Sequence, residues 1–162
     1  FVVGSAGSDE KAAWLKDVAG VDEAFNYKAV DNLFKTVNQL CPNGIDIYFE
    51  NVGGKHLEAA LEYMNPQGRL VMCGMISQYN ATKPPQGPSN LCYVVAKQLT
   101  MQGFLVGNYF HKMQQFQADM GKWIAEGRIT WKETVREGLQ TAPEAFIGLF
   151  KGENFGKMIV KL

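Results

Sequence analysis

Two hydrophobic periods alternate along this chain. Val2-Val3 is a short apolar run that stops at Gly4. Ser8 then precedes Asp9-Glu10-Lys11-Ala12-Ala13-Trp14-Leu15, and Gly20 follows. A capping serine, acids in the first turn and a closing glycine describe a helix. Glu23-Ala24-Phe25 reads as a short strand. Asp31 to Leu40 carries Leu33, Val37 and Leu40 at helical spacing. Ile45 to Phe49 is a strand that runs into the tight turn Asn51-Val52-Gly53-Gly54, and His56 to Met64 is a helix. Pro66-Gln67-Gly68 predicts a turn, and Arg69 to Cys73 a buried strand.

The stretch Gly74 to Ser89 holds Pro84, Pro85 and Pro88 and few apolar residues, so it reads as a loop. Loops this long inside a domain are usually functional. Leu91 to Lys97 predicts a helix, Leu99 to Val106 a strand, and Met113 to Glu126 an amphipathic helix ended by Gly127. Ile129 to Val135 is strand-like. Thr141-Ala142-Pro143-Glu144 opens another helix, since proline fits a first turn. Gly156 to Leu162 is a final strand. Strand and helix alternating in this way predict an α/β fold with a Rossmann-like, doubly wound parallel sheet. The alternation breaks in the last third, where strands near Ile129 and Ile159 bracket a helix and suit a different sheet. The predicted organisation is a nucleotide-binding domain over residues 1–127 and a C-terminal segment over 128–162.

Composition narrows the function classes. The chain has 162 residues, 46% hydrophobic and 20% charged, enough for an ordinary globular core. Lys plus Arg and Asp plus Glu both number 16. A net charge of zero offers no field for nucleic acid or an anionic membrane. No apolar run is long enough to span a bilayer. Cys41, Cys73 and Cys92 fit neither a disulfide framework nor a zinc knuckle, and His56 and His111 lie far apart, so no metal site is predicted. Reduced thiols suit a cytoplasmic protein.

The chemistry sits at the strand ends, where doubly wound sheets bind ligands. Gly4-Ser5-Ala6-Gly7-Ser8, Asn51-Val52-Gly53-Gly54, Cys73-Gly74 and Gly107-Asn108 are Gly-rich or polar. Any one of them alone is a turn; together they favour a cofactor crevice, because glycine lets a backbone approach a ligand. The Gly-x-Gly-x-x-Gly fingerprint is absent. It belongs before the second strand of such a fold, and this chain opens on Phe1 in mid-strand. The expectation is therefore a sheet truncated at its N-terminal strand, with C-terminal strands that would complete a missing catalytic domain. Such a piece should bind a dinucleotide weakly and not catalyse alone. The first strand carries no acid at its end to hold ribose hydroxyls, while Lys11 stands in the first helical turn, where the helix dipole does not favour a cation. That pair of features favours NADP over NAD, although Lys11 by itself could be a solvated surface residue.

Several long motifs in order carry a family resemblance. They are Val3-Gly4-Ser5-Ala6-Gly7-Ser8-Asp9-Glu10-Lys11, Phe25-Asn26-Tyr27-Lys28, Asp46-Ile47-Tyr48-Phe49-Glu50-Asn51-Val52-Gly53-Gly54, Cys73-Gly74-Met75-Ile76-Ser77-Gln78-Tyr79-Asn80, and Leu149-Phe150-Lys151-Gly152-Glu153-Asn154-Phe155-Gly156-Lys157. The chain resembles the zinc-independent medium-chain dehydrogenase/reductases, specifically the prostaglandin reductase and curcumin reductase-like group, along its whole length. The resemblance implies reduction of the carbon–carbon double bond of α,β-unsaturated aldehydes and ketones by NADPH, without metal, in a homodimer joined through the edge strand 99–106.

It also implies site roles. Lys11 and Tyr27 hold the adenosine 2′-phosphate region, and Asn51 the cofactor ribose. Cys73, Gly74, Met75, Ile76, Ser77, Gln78 and Tyr79 line the nicotinamide half. Phe104, Leu105 and Val106 pass the nicotinamide, and Asn154 reaches it. Read without the resemblance, Tyr27 is a half-buried aromatic, Asn51 a turn residue, Phe104 to Val106 strand core and Asn154 a helix-ending residue. The enolate oxygen formed in such a reaction needs a donor, and Tyr79 is the candidate here, with packing against the cofactor as its plainer role. Tyr93 is a weaker candidate because its helix should turn it into the core. Cys73 reads as a small buried residue rather than a nucleophile, since no base neighbours it. A methyltransferase with a similar sheet is the rival enzyme, disfavoured by the missing acid at the strand end; a non-catalytic nucleotide-binding scaffold is the rival outside catalysis.

Overall fold

Ser8 starts the first helix as its side chain allows. In a computed structural model that describes residues 1–162, its Oγ accepts the Lys11 amide at 3.3 Å and caps α1 (Asp9–Asp17). Asp9 and Glu10 occupy the positive end of that helix and Lys16 its negative end, as the dipole favours. The helix joins β1 (Val3–Ala6) to β2 (Glu23–Asn26), and the two strands pair in parallel, Val3 opposite Glu23 through Ala6 opposite Asn26. These elements belong to one of two compact units, residues 1–29 together with 114–162; residues 30–113 form the other.

The second unit is a three-stranded parallel sheet with helices. It contains α2 (Leu33–Leu40), β3 (Ile45–Glu50), α3 (Gly54–Tyr63), β4 (Met64–Met72), α4 (Cys92–Ala96) and β5 (Thr100–Gly103), in the strand order β3-β4-β5. Its core is Leu57, Leu61, Met64, Leu70 and Leu99, with Tyr48, Tyr93 and Met101 among the partly buried residues packed on it. Helix α3 presents Leu57, Ala60 and Leu61 at helical spacing and so buries a continuous stripe. The other side of β3 is different: Ile47 and Phe49 stay 59% and 55% exposed. Tyr93 does turn into the core, as its place on a short helix suggests.

Three segments depart from the sequence expectation. Pro66-Gln67-Gly68 is not a turn between elements but part of β4. Ile45 pairs with Met64 and Ile47 with Arg69, so the intervening residues form a bulge in a continuous strand. Gln67 takes the left-handed conformation (φ 63°) and its amide donates to the Lys97 carbonyl at 2.7 Å. The strand expected from Leu99 to Val106 spans only Thr100–Gly103, because β4 ends at Met72, the partner of Gly103, and leaves nothing further to pair with. Val106 instead opens a 3-10 turn that runs to Lys112.

The remaining elements return to the first unit: α5 (Met113–Ala125), β6 (Glu133–Glu137), α6 (Ala142–Lys151) and β7 (Lys157–Lys161). The strand expected from Ile129 begins only at Glu133, since its partner β7 begins at Lys157, opposite Glu133. β6 and β7 pair with each other in a separate parallel ladder. Pro143 sits in the first turn of α6, and Gly152 closes that helix in the left-handed conformation (φ 72°). All strand pairs in the protein are parallel, and the architecture is α/β.

Candidate functional site

In the second unit the register aligns three chain exits. Glu50 pairs with Met72 and Met72 with Gly103, so Asn51, Cys73 and Phe104 leave the sheet in one row at its carboxyl edge. The exits are tied to each other by backbone bonds. The Glu50 carbonyl accepts the amides of Cys73 at 2.9 Å and Gly74 at 3.0 Å; the Asn51 carbonyl accepts Ile76 at 2.9 Å, and the Val52 carbonyl accepts Ser77 at 3.0 Å. Phe104 donates its amide to the Met72 carbonyl at 3.4 Å, and its ring meets Phe49 edge-on at 6.2 Å. The sequence-derived residues Asn51, Cys73 to Tyr79 and Phe104 to Val106 therefore stand on or just beyond adjacent strand ends.

Two glycines are required by this arrangement. Gly53 has φ 77°, and a Cβ there would stand 3.1 Å from the Met75 Cβ. A Cβ on Gly74 would stand 2.8 Å from the Tyr79 hydroxyl. Tyr79 thus folds back over the Gly74 backbone, and its hydroxyl oxygen accepts the Met75 amide at 3.1 Å. With Met72, Cys73, Gly74, Met75, Gln78 and Pro85 it lines an open depression of about 470 Å³. Cys73 is exposed there, not buried as its strand position suggested. It is the first residue past the last paired position of β4, where the chain has left the covered part of the sheet.

The first unit holds Lys11, Tyr27 and Asn154. Tyr27 follows β2 and its hydroxyl stands over Gly7, 3.4 Å from where a Cβ would be; Lys28 Nζ lies 3.5 Å from the same point. The glycine thus leaves room for a phenol and an ammonium beside the β1–α1 loop. Lys28 carried no role in the sequence reading, and its only signal was a second cation beside Tyr27. The Lys11 ammonium donates to the Gly152 carbonyl at the C-terminus of α6, at 2.7 Å. Asn154 donates its side-chain amide to the Gly156 carbonyl at 2.7 Å. Phe155 next to it packs edge-on against Trp14 at 6.0 Å and lies under Lys132 Nζ at 3.8 Å.

Glu50, like Lys28, carried no role in the sequence reading. Glu50 is fully buried, and its Oε1 accepts the amides of Val52 and of Gly53, the latter at 2.8 Å. Tyr48 lies beside it. Burial, then the charge of Glu50 and a hydrogen bond to it, push the Tyr48 phenol far above its ordinary range. An acid placed directly before a Gly-rich turn was the available sign of this cap.

A zinc-binding dehydrogenase model matches residues 1–126. A zinc-type alcohol dehydrogenase-like protein of Schizosaccharomyces pombe is 53% identical over 99% of this chain and 46% of its own length. The NADP(+)-dependent 2-alkenal reductase of Nicotiana tabacum is 47% identical over 99% of this chain and 46% of its own length. The crystal structure of CurA from Vibrio vulnificus in complex with NADPH superposes with a TM-score of 0.91 and 45% identity, covering 99% of this chain and 49% of that one. The chain spans about half the length of the relatives it matches.

Proposed function

Since the chain belongs to the zinc-binding dehydrogenase family, we propose that it is the nucleotide-binding part of an NADP-dependent oxidoreductase that reduces the carbon–carbon double bond of α,β-unsaturated aldehydes and ketones. One observation carries this reading: Asn51, Cys73 and Phe104 leave adjacent parallel strands in a single row, at the edge where doubly wound sheets bind ligands. The names of the similar proteins, an NADP(+)-dependent alkenal reductase and a reductase bound to NADPH, point the same way.

The residues at hand fit the dinucleotide. Gly53 and Gly74 keep side chains out of the crevice wall, where a Cβ would meet Met75 or Tyr79. When bound, NADPH would supply a hydride for the β-carbon of the enone, whose carbonyl oxygen would gain enolate charge. Tyr79 is suited to meet that charge. Its oxygen already accepts the Met75 amide, so its O–H is oriented by a fixed partner and remains a donor. Cys73, Gly74, Met75, Ile76, Ser77 and Gln78 line the nicotinamide half with Phe104, Leu105 and Val106. Asn51 serves the ribose. Lys11 and Tyr27 hold the 2′-phosphate, for which an ammonium and a phenol are apt donors. Residues 1–127 bind the nucleotide, and 128–162 return toward the catalytic domain. The protein acts in the cytoplasm as a homodimer through the edge strand β5 (Thr100–Gly103).

The family's zinc finds no donor set here: no group of three or more His, Cys, Asp or Glu residues is placed to hold a metal ion. The test is to mix the full-length protein with NADPH and a long-chain 2-alkenal and follow the loss of reduced-cofactor absorbance. Consumption of NADPH with formation of the saturated aldehyde is the expected result. Alcohol formation with the double bond intact would assign carbonyl reduction instead and sink the reading.

A further inference from the structure

The turn Asn51–Gly54 has to hold one orientation if it is to face a cofactor, and its two glycines give it little stiffness of its own. What holds it comes from Glu50. Its carboxylate Oε1 accepts the Val52 and Gly53 amides, which are the donors that a β3 exit would otherwise leave unpaired. Its backbone carbonyl accepts the Cys73 and Gly74 amides on the neighbouring strand. The turn then passes the constraint on, because the Asn51 and Val52 carbonyls receive the amides of Ile76 and Ser77. One residue therefore sits between both walls of the crevice.

From this geometry we infer that Glu50 is a positioning residue for cofactor binding: its buried carboxylate sets the Asn51–Gly54 turn, and through that turn the Ile76–Ser77 segment. The inference rests on the cofactor reading given above. The side chain has no access to solvent, so it acts through the backbone it caps. Tyr48 is partly buried next along the same strand face, and its burial, with the Glu50 charge second, pushes its phenol upward.

The experiment uses the full-length protein. Cofactor affinity is read from the fluorescence of titrated NADPH, steady-state KM and kcat from NADPH oxidation, and thermal stability from unfolding. Glu50→Ala should raise the KM and Kd for NADPH about tenfold or more, the scale of two lost backbone caps, with little change in the KM for alkenal. Glu50→Asp keeps the charge but is one methylene short of the two amides, and should weaken NADPH as well. Glu50→Gln keeps an acceptor oxygen at full reach and should restore affinity to within about threefold. A purely structural role would lower the unfolding temperature of all three variants and leave the cofactor KM of the folded enzyme unchanged; that result overturns the proposal. If Glu50→Ala does not fold, the contrast between Asp and Gln decides, and equal NADPH affinity in the two is the overturning outcome. If the unsubstituted protein binds no NADPH, the cofactor reading itself fails and the proposal falls with it. Tight binding by the unsubstituted protein and by Glu50→Ala alike removes the positioning role alone.

Discussion

At the scale of single residues, the proposed function assigns the cofactor specificity to Lys11 and the chemistry to Tyr79. Lys11 is held by the Gly152 carbonyl at 2.7 Å in the first unit. An exposed tie of this kind is worth little to stability, so the side chain is free in energetic terms to exchange a neutral carbonyl for a phosphate. Lys11→Ala should therefore raise the KM for NADPH by a factor corresponding to about 1.5–3 kcal/mol and leave that for NADH nearly unchanged. Equal effects on the two cofactors would remove Lys11 from the 2′-phosphate site. Tyr79 differs in kind, because its proposed role is to donate a proton. Tyr79→Phe keeps the ring against Gly74 and deletes the donor, so kcat should fall about 100-fold while the KM for NADPH holds. An unchanged kcat would return Tyr79 to a packing role.

At the scale of elements, the loop that follows β4 is anchored at its far end by helix α3. Glu58 Oε1 accepts both the amide and the hydroxyl of Ser89 at 2.9 Å, and the Asn90 side chain donates to the Glu58 carbonyl at 2.9 Å. The bonds from Ser89, amide first, hold the Glu58 carboxyl below its ordinary range. A depressed carboxyl stabilises the folded loop at pH above its unfolded value, about 4.3, and that contribution is lost as pH falls through the lower folded value. Pepsin should cut between residues 80 and 90 increasingly as pH falls through that window, and Ser89→Ala should move the onset to higher pH. Identical profiles for the two proteins would show that the anchor does not govern the loop. The helix itself depends on its buried stripe. Leu61 is fully buried, so Leu61→Ala should cost about 2–5 kcal/mol by denaturant unfolding. A loss under about 1 kcal/mol would mean that the site collapses around the missing methyls.

At the scale of the whole molecule, β5 is the edge of the three-stranded sheet, and its outer row of backbone groups has no strand partner in the ladder. Edges of this kind pair with another chain or are protected from doing so. Only Thr100–Gly103 is extended, a short edge that a two-fold related copy could match strand to strand. Light scattering on the full-length protein should give twice the protomer mass at micromolar concentration and above. A single-protomer mass at high concentration would leave the edge to another cover. No helix is long and apolar enough to cross a membrane.

Much of the architecture was legible before any coordinates. The Ser8 cap, the helix after the Asn51–Gly54 turn, the proline start of α6 and the βα alternation are local signals, and local signals survive because backbone conformation decides them, whereas α6 stops at Gly152 and not at Asn154. The long motifs pointed to a cofactor crevice by resemblance, and Asn51, Cys73 and Phe104 leave adjacent strands in one row. Other features needed the fold. Period two along β3 separates Ile47 and Phe49 from Tyr48 and Glu50 but cannot say which side α3 will cover. In the structure Glu50 is buried while Ile47 and Phe49 stand largely exposed. Strand lengths were likewise set by partners: β5 stops where β4 does, and β6 starts where β7 supplies a neighbour. Cys73 is exposed because it lies one residue past that last pairing. Burial and pairing are properties of two segments at once, and so the chain alone determined which elements form, while tertiary contact decided where each ends, which face it hides and that a carboxylate should sit beneath the turn.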